Sequence, residues 1–445
     1  MKRTLALLLA CALGLGLLAG CSTGTDESLG PGCDGFPAAP PSQPWSNAEK
    51  LSVSPKGSEA VNEALASFGL KLLQKTREAD KQSPLVSPLS VALALSMTAN
   101  GADGNTLAQF QEVLGGGVDL EELNAACAQY LSDYQGLLGS SQCRIANSLW
   151  KDHSGGIYKD FVSKCRGYYS AQVYEAELSE PRIVDDLNSW VSDKTNKMIP
   201  QIIDQPFPEE TACLLVNALY LKNKWLNEFD PLSTHERDFR HEDGTSQQVE
   251  FLSKHNANLS YLQGKGAQGV VLPYDDGRLA FFALIPDEPS GLGDGTPFTM
   301  NCTPTELLGY WLNTLEGGDL SQLINNREDA LFLSFAMPKF TAEWSGSLEK
   351  ILPELGLEDA FIPGTANFSS LGDCEEGYYI SQVVHAAKIE VNEKGTEAAA
   401  VTVVVGDAGA APPSPEGVTL ILDRPFLYGI VDLQNGVPLF LGTYE

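Results

Sequence analysis

Few residues in this chain are placed to do covalent chemistry of their own. Among its five histidines the nearest approach to a metal or catalytic pair is His235-Glu236 followed by His241. That spacing sets the two imidazoles on different sides of a helix; on a strand they share a face, where exposed hairpin histidines are the plainer reading. The sequence holds no nucleophile elbow, zinc-binding His-Glu-x-x-His pair, phosphate loop or dinucleotide glycine fingerprint. The chain is therefore read as not an enzyme, with no metal and no cofactor. Two stretches of small residues are more informative: Leu18-Ala19-Gly20-Cys21, where small residues precede a thiol, and the run from Gly395 to Ala411.

The first belongs to an export signal. Lys2 and Arg3 precede an apolar stretch from Leu5 to Leu18, which is shorter than the roughly 20 residues a bilayer-spanning helix needs. Residues 1–20 are thus the signal. Leu-Ala-Gly-Cys resembles the bacterial lipobox, which implies a diacylated Cys21 at the mature N-terminus and a chain tethered to the bacterial cell envelope; plain secretion to the extracellular space is the alternative. Residues 21–45 are rich in Gly, Pro, Ser and Asp and read as a flexible tether. The domain proper spans 46–445, and no composition shift marks a second boundary inside it.

With 58 acidic and 29 basic residues, the formal charge is −29. Such a surface argues against nucleic acid and polyanion partners. Of nine cysteines, Cys33, Cys127, Cys143, Cys165, Cys302 and Cys374 are candidates for pairing in an exported protein, without metal-site spacing. Cys213 lies in an apolar run and reads as core.

The elements that must position any site follow from periodicity. Val61, Leu65, Phe68 and Leu72 recur at helical spacing behind Ser58, which can cap the first turn. A second helix should follow Pro88, and Leu107 to Leu131 and Ile183 to Ile203 also carry helical spacing. After Pro206 strands dominate: Cys213 to Leu221 is apolar enough for a buried strand, Val270 to Pro273 and Leu279 to Ile285 suggest a hairpin, and Leu331 to Phe340 suggests a further strand. Leu348 to Leu357 reads as a helix. Ile380 to Val391, Val418 to Leu422, Phe426 to Asp432 and Leu439 to Tyr444 make a strand-rich C-terminal end.

Near that end, Asn392-Glu-Lys-Gly-Thr-Glu-Ala-Ala-Ala400 resembles the hinge of inhibitory serpins, and Leu420-Ile-Leu-Asp-Arg-Pro-Phe-Leu-Tyr428 resembles the signature after their reactive loop. The likeness extends to Val86-Ser-Pro-Leu-Ser90, Val216-Asn-Ala-Leu-Tyr220 with Lys224-Trp225, Leu272-Pro-Tyr274 and Met337-Pro-Lys-Phe340. It implies an α+β serpin fold, about nine helices and three β-sheets, with an exposed loop over 392–417. It also implies a monomer that traps a serine-type protease as a suicide substrate, the cut loop inserting into the main sheet. A non-inhibitory relative acting as a binding protein is the alternative, and such relatives carry bulky, charged or proline residues in the hinge.

The loop can be judged on its own residues. As a strand, one face consists of Thr396, Ala398, Ala400, Thr402 and Val404, all small or apolar, and the β-branched run from Thr402 to Val405 favours extended structure. No proline removes a backbone donor before Pro412. Counting from the hinge places the scissile bond at Gly409-Ala410, with Ala408 as a neighbouring candidate. These small residues suit an elastase-like or subtilisin-like protease, whereas a trypsin-like pocket finds no cation in the loop. By resemblance, Ser87, Ser90, Asn217 and His385 form a polar cluster beneath the main sheet, and Trp225, Lys339 and Glu393 lie where the loop enters it. Ser87, Ser90, Asn217, His385, Trp225 and Lys339 are expected to control sheet opening, with Glu393 in the hinge itself. The region Asn105 to Tyr130, matching the family's usual polyanion-binding helix, holds no Lys or Arg, so no heparin-type partner is expected.

Overall fold

The computed structural model describes residues 5–9, 43–44, 52–80, 83–153, 156–241, 243–288, 304–374, 377–396 and 417–445. Among these, nine α-helices precede or interrupt two large sheets. Helix α1 (Glu59–Asp80) starts where Ser58 Oγ accepts from the Val61 N–H at 3.4 Å, as its sequence suggests. Helix α2 (Pro88–Ala99) has Pro at its first turn and is buried all round, so it is apolar on every side and lacks an amphipathic stripe.

The single helical stretch expected over Leu107 to Leu131 is two helices, α3 (Gly104–Gly115) and α4 (Leu120–Gln135). Gly116 and Gly117 lie between them with φ of 65° and 86°, a left-handed turn that ends α3. After α5 (Lys159–Tyr169), helix α6 (Arg182–Lys194) also stops early, because Asn196 and Lys197 turn left-handed; Ile202 is still buried, but from a loop. Helices α7 (Pro304–Thr314) and α8 (Asp319–Asn325) follow the central strands. The expected helix over Leu348 to Leu357 shrinks to α9 (Ile351–Glu354), a single turn containing Pro353.

The main sheet contains β1 (Leu5–Leu9), β2 (Gln43–Pro44), β4 (Gln142–Asp152), β6 (Gln172–Ala176), β7 (Thr211–Lys224), β13 (Phe340–Ser347), β15 (Tyr378–Asn392) and β16 (Gly395–Thr396). Its body runs β13, β15, then β7, β4, β6 and β2. Between β15 and β7 is a slot. At one end β16 bridges it, antiparallel to both neighbours; at the other β1 bridges it, parallel to both. The expected signal segment therefore contributes a short strand to the far end of this slot, and Gln43–Pro44 of the expected tether adds an edge strand to β6.

The second sheet joins β3 (Leu85–Val86), β8 (His235–Arg240), β9 (Ser246–Gly264), β10 (Ala267–Pro273), β11 (Leu279–Pro286), β12 (Glu328–Pro338), β17 (Val418–Ile421), β18 (Phe426–Asp432) and β19 (Pro438–Tyr444). The expected hairpin is present, with Val270 opposite Ala283. The one strand expected over Leu331 to Phe340 is divided at Lys339: β12 belongs to the second sheet and β13 to the main one. A third sheet pairs β5 (Gly156–Ile157) with β14 (Gly372–Asp373). One core, including Leu72, Phe282 and Tyr428, lies between the sheets and helices; a satellite core under α6 holds Trp150, Leu187 and Trp190.

Candidate functional site

The end of the slot bridged by β16 is built by residues far apart in sequence. Strand β15 delivers Asn392, and the chain turns through Glu393 and Lys394, with the Lys394 N–H donating to Asn392 Oδ1 at 3.0 Å. Gly395 and Thr396 then enter the sheet, Thr396 opposite Val391 and Asn223, Gly395 opposite Asn392 and Lys224. Gly395 has a φ of 153°, and a Cβ there would collide with the Asn223 carbonyl oxygen and lie 2.8 Å from Lys224 Cα. Only glycine fits so close a backbone approach. Thr396 is 2% exposed, and its hydroxyl shares a hydrogen bond with Tyr274 Oη.

Trp225 closes this end from the other side. Its ring stacks on Tyr274 at 4.9 Å with 6° between planes and meets Phe281 edge-on. Its indole Nε1–H donates to the Asn392 carbonyl at 2.8 Å. The backbone N–H groups of Trp225 and Phe229 donate to the carbonyls of Lys394 and Glu393, at 2.9 and 2.8 Å. The turn after β7 thus holds the hinge by its main chain.

Lys339 and Glu393, read as an ion pair from sequence, are 3.2 Å apart, and Lys339 also lies 3.6 Å from Glu250. Partial burial works against the charge on Lys339, but its bonds to Glu393 and the nearby Glu250 carboxylate outweigh that and hold the ammonium above its ordinary pKa. For Glu393, burial favours the protonated form; its own backbone N–H, Lys339 and the Thr234 hydroxyl win and keep the carboxyl below its ordinary value.

The second constellation lies beneath the middle of the slot. The Ser87 backbone N–H donates to His385 Nε2 at 2.9 Å, and Ser87 Oγ donates to the Leu439 carbonyl at 2.8 Å. Because Nε2 accepts, the imidazole is neutral with its proton on Nδ1. Burial pushes the His385 pKa down to about 4. Ser90 Oγ donates to Asn217 Oδ1, and Asn217 Nδ2 donates to Asn147 Oδ1 at 2.7 Å. Asn147 in turn donates to the Tyr169 carbonyl at 2.8 Å. Three of the four expected residues, Ser87, Ser90 and Asn217, line a space of about 10 Å³ with Ala387 and Phe440, and His385 joins them through the bond it accepts from Ser87.

Asn147 is the member sequence reasoning missed. It lies directly opposite Asn217 across the β4–β7 ladder, a pairing that its local sequence, with Ser148 polar beside it, does not announce. The expected inserting residues Ala398, Ala400, Thr402 and Val404, the bond Gly409-Ala410 with Ala408, and Cys21 lie outside the described residues. So do Cys33 and Cys302. Cys127, Cys143, Cys165, Cys213 and Cys374 are unpaired thiols, so the four of them read as candidates for pairing are not joined to one another. Among the described residues no group of three His, Cys, Asp or Glu is arranged to hold a metal, and no helix is long and apolar enough to cross a membrane.

With this geometry in place, the comparisons with known proteins agree with one another. The family model described as "Serpin (serine protease inhibitor)" matches residues 63–445. Serpin B6 of Macaca fascicularis is 30% identical over 404 residues, covering 87% of this chain and 99% of its own. Plasminogen activator inhibitor 1 of Neovison vison is 29% identical over 387 residues, covering 85% and 91%. The solved structure of the thermophilic serpin tengpin in its native state shares 34% identity at a TM-score of 0.78, covering 91% of this chain and 99% of that one.

Proposed function

The chain belongs to the serpin family, which comprises protease inhibitors more than enzymes, and on that premise we propose that it is a suicide-substrate inhibitor of serine-type endopeptidases. One observation carries this reading: Gly395 and Thr396 are already seated between β15 and β7, antiparallel to both. Extending that register residue by residue puts Ala398 opposite Leu221 and Ile389, Ala400 opposite Leu219 and Ala387, Thr402 opposite Asn217 and His385, and Val404 opposite Leu215 and Val383. Directly opposed residues share a face, and Thr396 is on the buried one. The small side chains are therefore those that turn inward on insertion.

In this scheme the nucleophile belongs to the protease. Its serine attacks the scissile carbonyl, the loop segment after the cut departs with the new amine, and an ester joins the protease to the residue before the cut. Insertion then carries that ester toward the far end of the slot. A strand of about 14 residues spans roughly 45 Å, enough to pull the protease away from its docking pole before water completes hydrolysis. Leu5–Leu9 occupies part of that far end, which is vacated once residues 1–20 are removed.

The target we propose is elastase-like or subtilisin-like, cutting at Gly409-Ala410 or next to Ala408. The location we propose is the bacterial cell envelope, through acylated Cys21, with the protein acting as a monomer. The net charge of −29 supports the absence of nucleic acid and heparin-type partners. The competing reading, a non-inhibitory serpin that binds a ligand, is disfavoured because the inward-facing hinge positions Thr396, Ala398 and Ala400 hold no bulky or charged residue. Incubation with elastase, subtilisin and trypsin, followed by sequencing of the new N-terminus and melting of the cut protein, tests the proposal. Cleavage in 408–411 and a raised melting midpoint are expected; cleavage confined to trypsin, or an unchanged midpoint, refutes it.

A further inference from the structure

Lys254 lies on β9, outside the constellations described above, and it is built into the turn that holds the hinge. Its Nζ donates to the carbonyls of Asn227 and Glu228, at 3.0 and 2.7 Å. The same ammonium sits 4.3 Å from the centroid of the Phe229 ring, a cation–π distance. Phe229 packs edge-on against Trp225 at 6.1 Å, and its N–H carries the Glu393 carbonyl while that of Trp225 carries Lys394. One cation thus fixes three consecutive residues of the turn whose main chain grips both hinge residues.

From this geometry we infer that Lys254 is a positioning residue for loop insertion: its charge clamps the Trp225–Asp230 turn and so restrains Glu393 and Lys394 until a protease cuts the loop. The inference rests on the inhibitory reading above and adds its control. Loss of the proton removes the attraction to the Phe229 ring and weakens both bonds to carbonyls. The amine is poised for this near neutrality, since burial lowers its pKa to about 8 against the opposing field of Glu228. The other charged or titratable groups on the elements around it are Asp230 on the turn, Glu393 and Lys394 on the hinge, His235, Glu236, Arg237, Asp238 and Arg240 on β8, Glu250 and His255 on β9, and Glu328 and Asp329 on β12 with Lys339 just after it; among the described residues, Glu228 is the charge whose field registers at the amine.

The test follows insertion of the uncut loop, read as conversion of the intact chain to a higher-melting species during incubation between pH 6.5 and 9.5. Wild type should convert several-fold faster as pH rises through about 8. Lys254→Arg keeps its charge over that range and should stay slow throughout, whereas Lys254→Met should be fast and independent of pH. A wild-type rate that does not change with pH, or a Lys254→Arg rate that rises with it as wild type does, overturns the inference. The inhibitory reading fails separately, if the cut chain gains no melting stability at any pH. Should Lys254→Met not fold, the wild-type and Lys254→Arg profiles decide the matter between them.

Discussion

Asn147 and Asn217 face each other across adjacent strands of the main sheet, and the Asn217 amide donates to Asn147 Oδ1 at 2.7 Å. This bond links the strand beside the slot to its outer neighbour, while Ser90 ties the same Asn217 to α2. Replacing Asn147 with Leu removes the acceptor and the donor to the Tyr169 carbonyl, both in the buried interior. We expect a loss of about 1–3 kcal/mol, measured by urea denaturation. A loss within error of zero would show that the network adds nothing to the folded sheet.

His385 makes stability depend on pH. Its folded pKa of about 4 lies below the value of about 6.5 for an unfolded histidine. Between these values the unfolded chain binds more protons, so stability falls as pH falls across that window, by roughly 3 kcal/mol in all, and this contribution is level above and below it. His385→Gln should flatten the wild-type slope between about pH 6.5 and 4. Equal slopes in the two proteins would mean that the folded imidazole binds its proton as readily as the unfolded one.

Thr396 is buried where the hinge enters the sheet, against Tyr274. Thr396→Arg must bury a cation or leave the slot, at a cost of several kcal/mol, about the size expected for an unpaired buried charge. The variant should be cut by the target at a normal rate and fail to trap it. Gel quantification of trapped against cleaved chain checks this, and an unchanged ratio contradicts the face assignment.

The Lys339–Glu393 pair should matter little to stability, since Lys339 is 35% exposed and such pairs contribute about 0–1 kcal/mol. A double-mutant cycle with Lys339→Met and Glu393→Gln should return a coupling in that range. The same variants should change the rate of loop entry more than the melting midpoint, because the pair sits at the mouth of the slot.

Much of this was legible in the sequence, but unevenly. The inward face of Thr396 followed from the alternation of small residues along the hinge, and the gathering of Ser87, Ser90, Asn217 and His385 from the resemblance to serpin motifs. Helix ends were harder: the periodicity from Leu107 to Leu131 continued across Gly116, where a left-handed turn redirects the chain. The strand divided at Lys339 looked continuous because apolar residues stand on both sides of that lysine, and only the sheet assignment separates the two halves. Asn147 and Lys254 were invisible for a shared reason. Each acts through a partner brought near by tertiary pairing, Asn217 across a ladder and Phe229 across a turn, and neither has local spacing to announce it.

The central claim is that a covalently bound protease is trapped by loop insertion, and the mass of the product tests it most directly. Chain beginning at Cys21, incubated with an elastase-type protease and analysed under denaturing conditions, should give a species whose mass is that of the protease plus the chain through the residue before the cut, with the ester at Gly409 or a neighbouring alanine. Complete recovery of free, active protease beside a chain cut in that same segment would contradict the account and leave the protein a substrate.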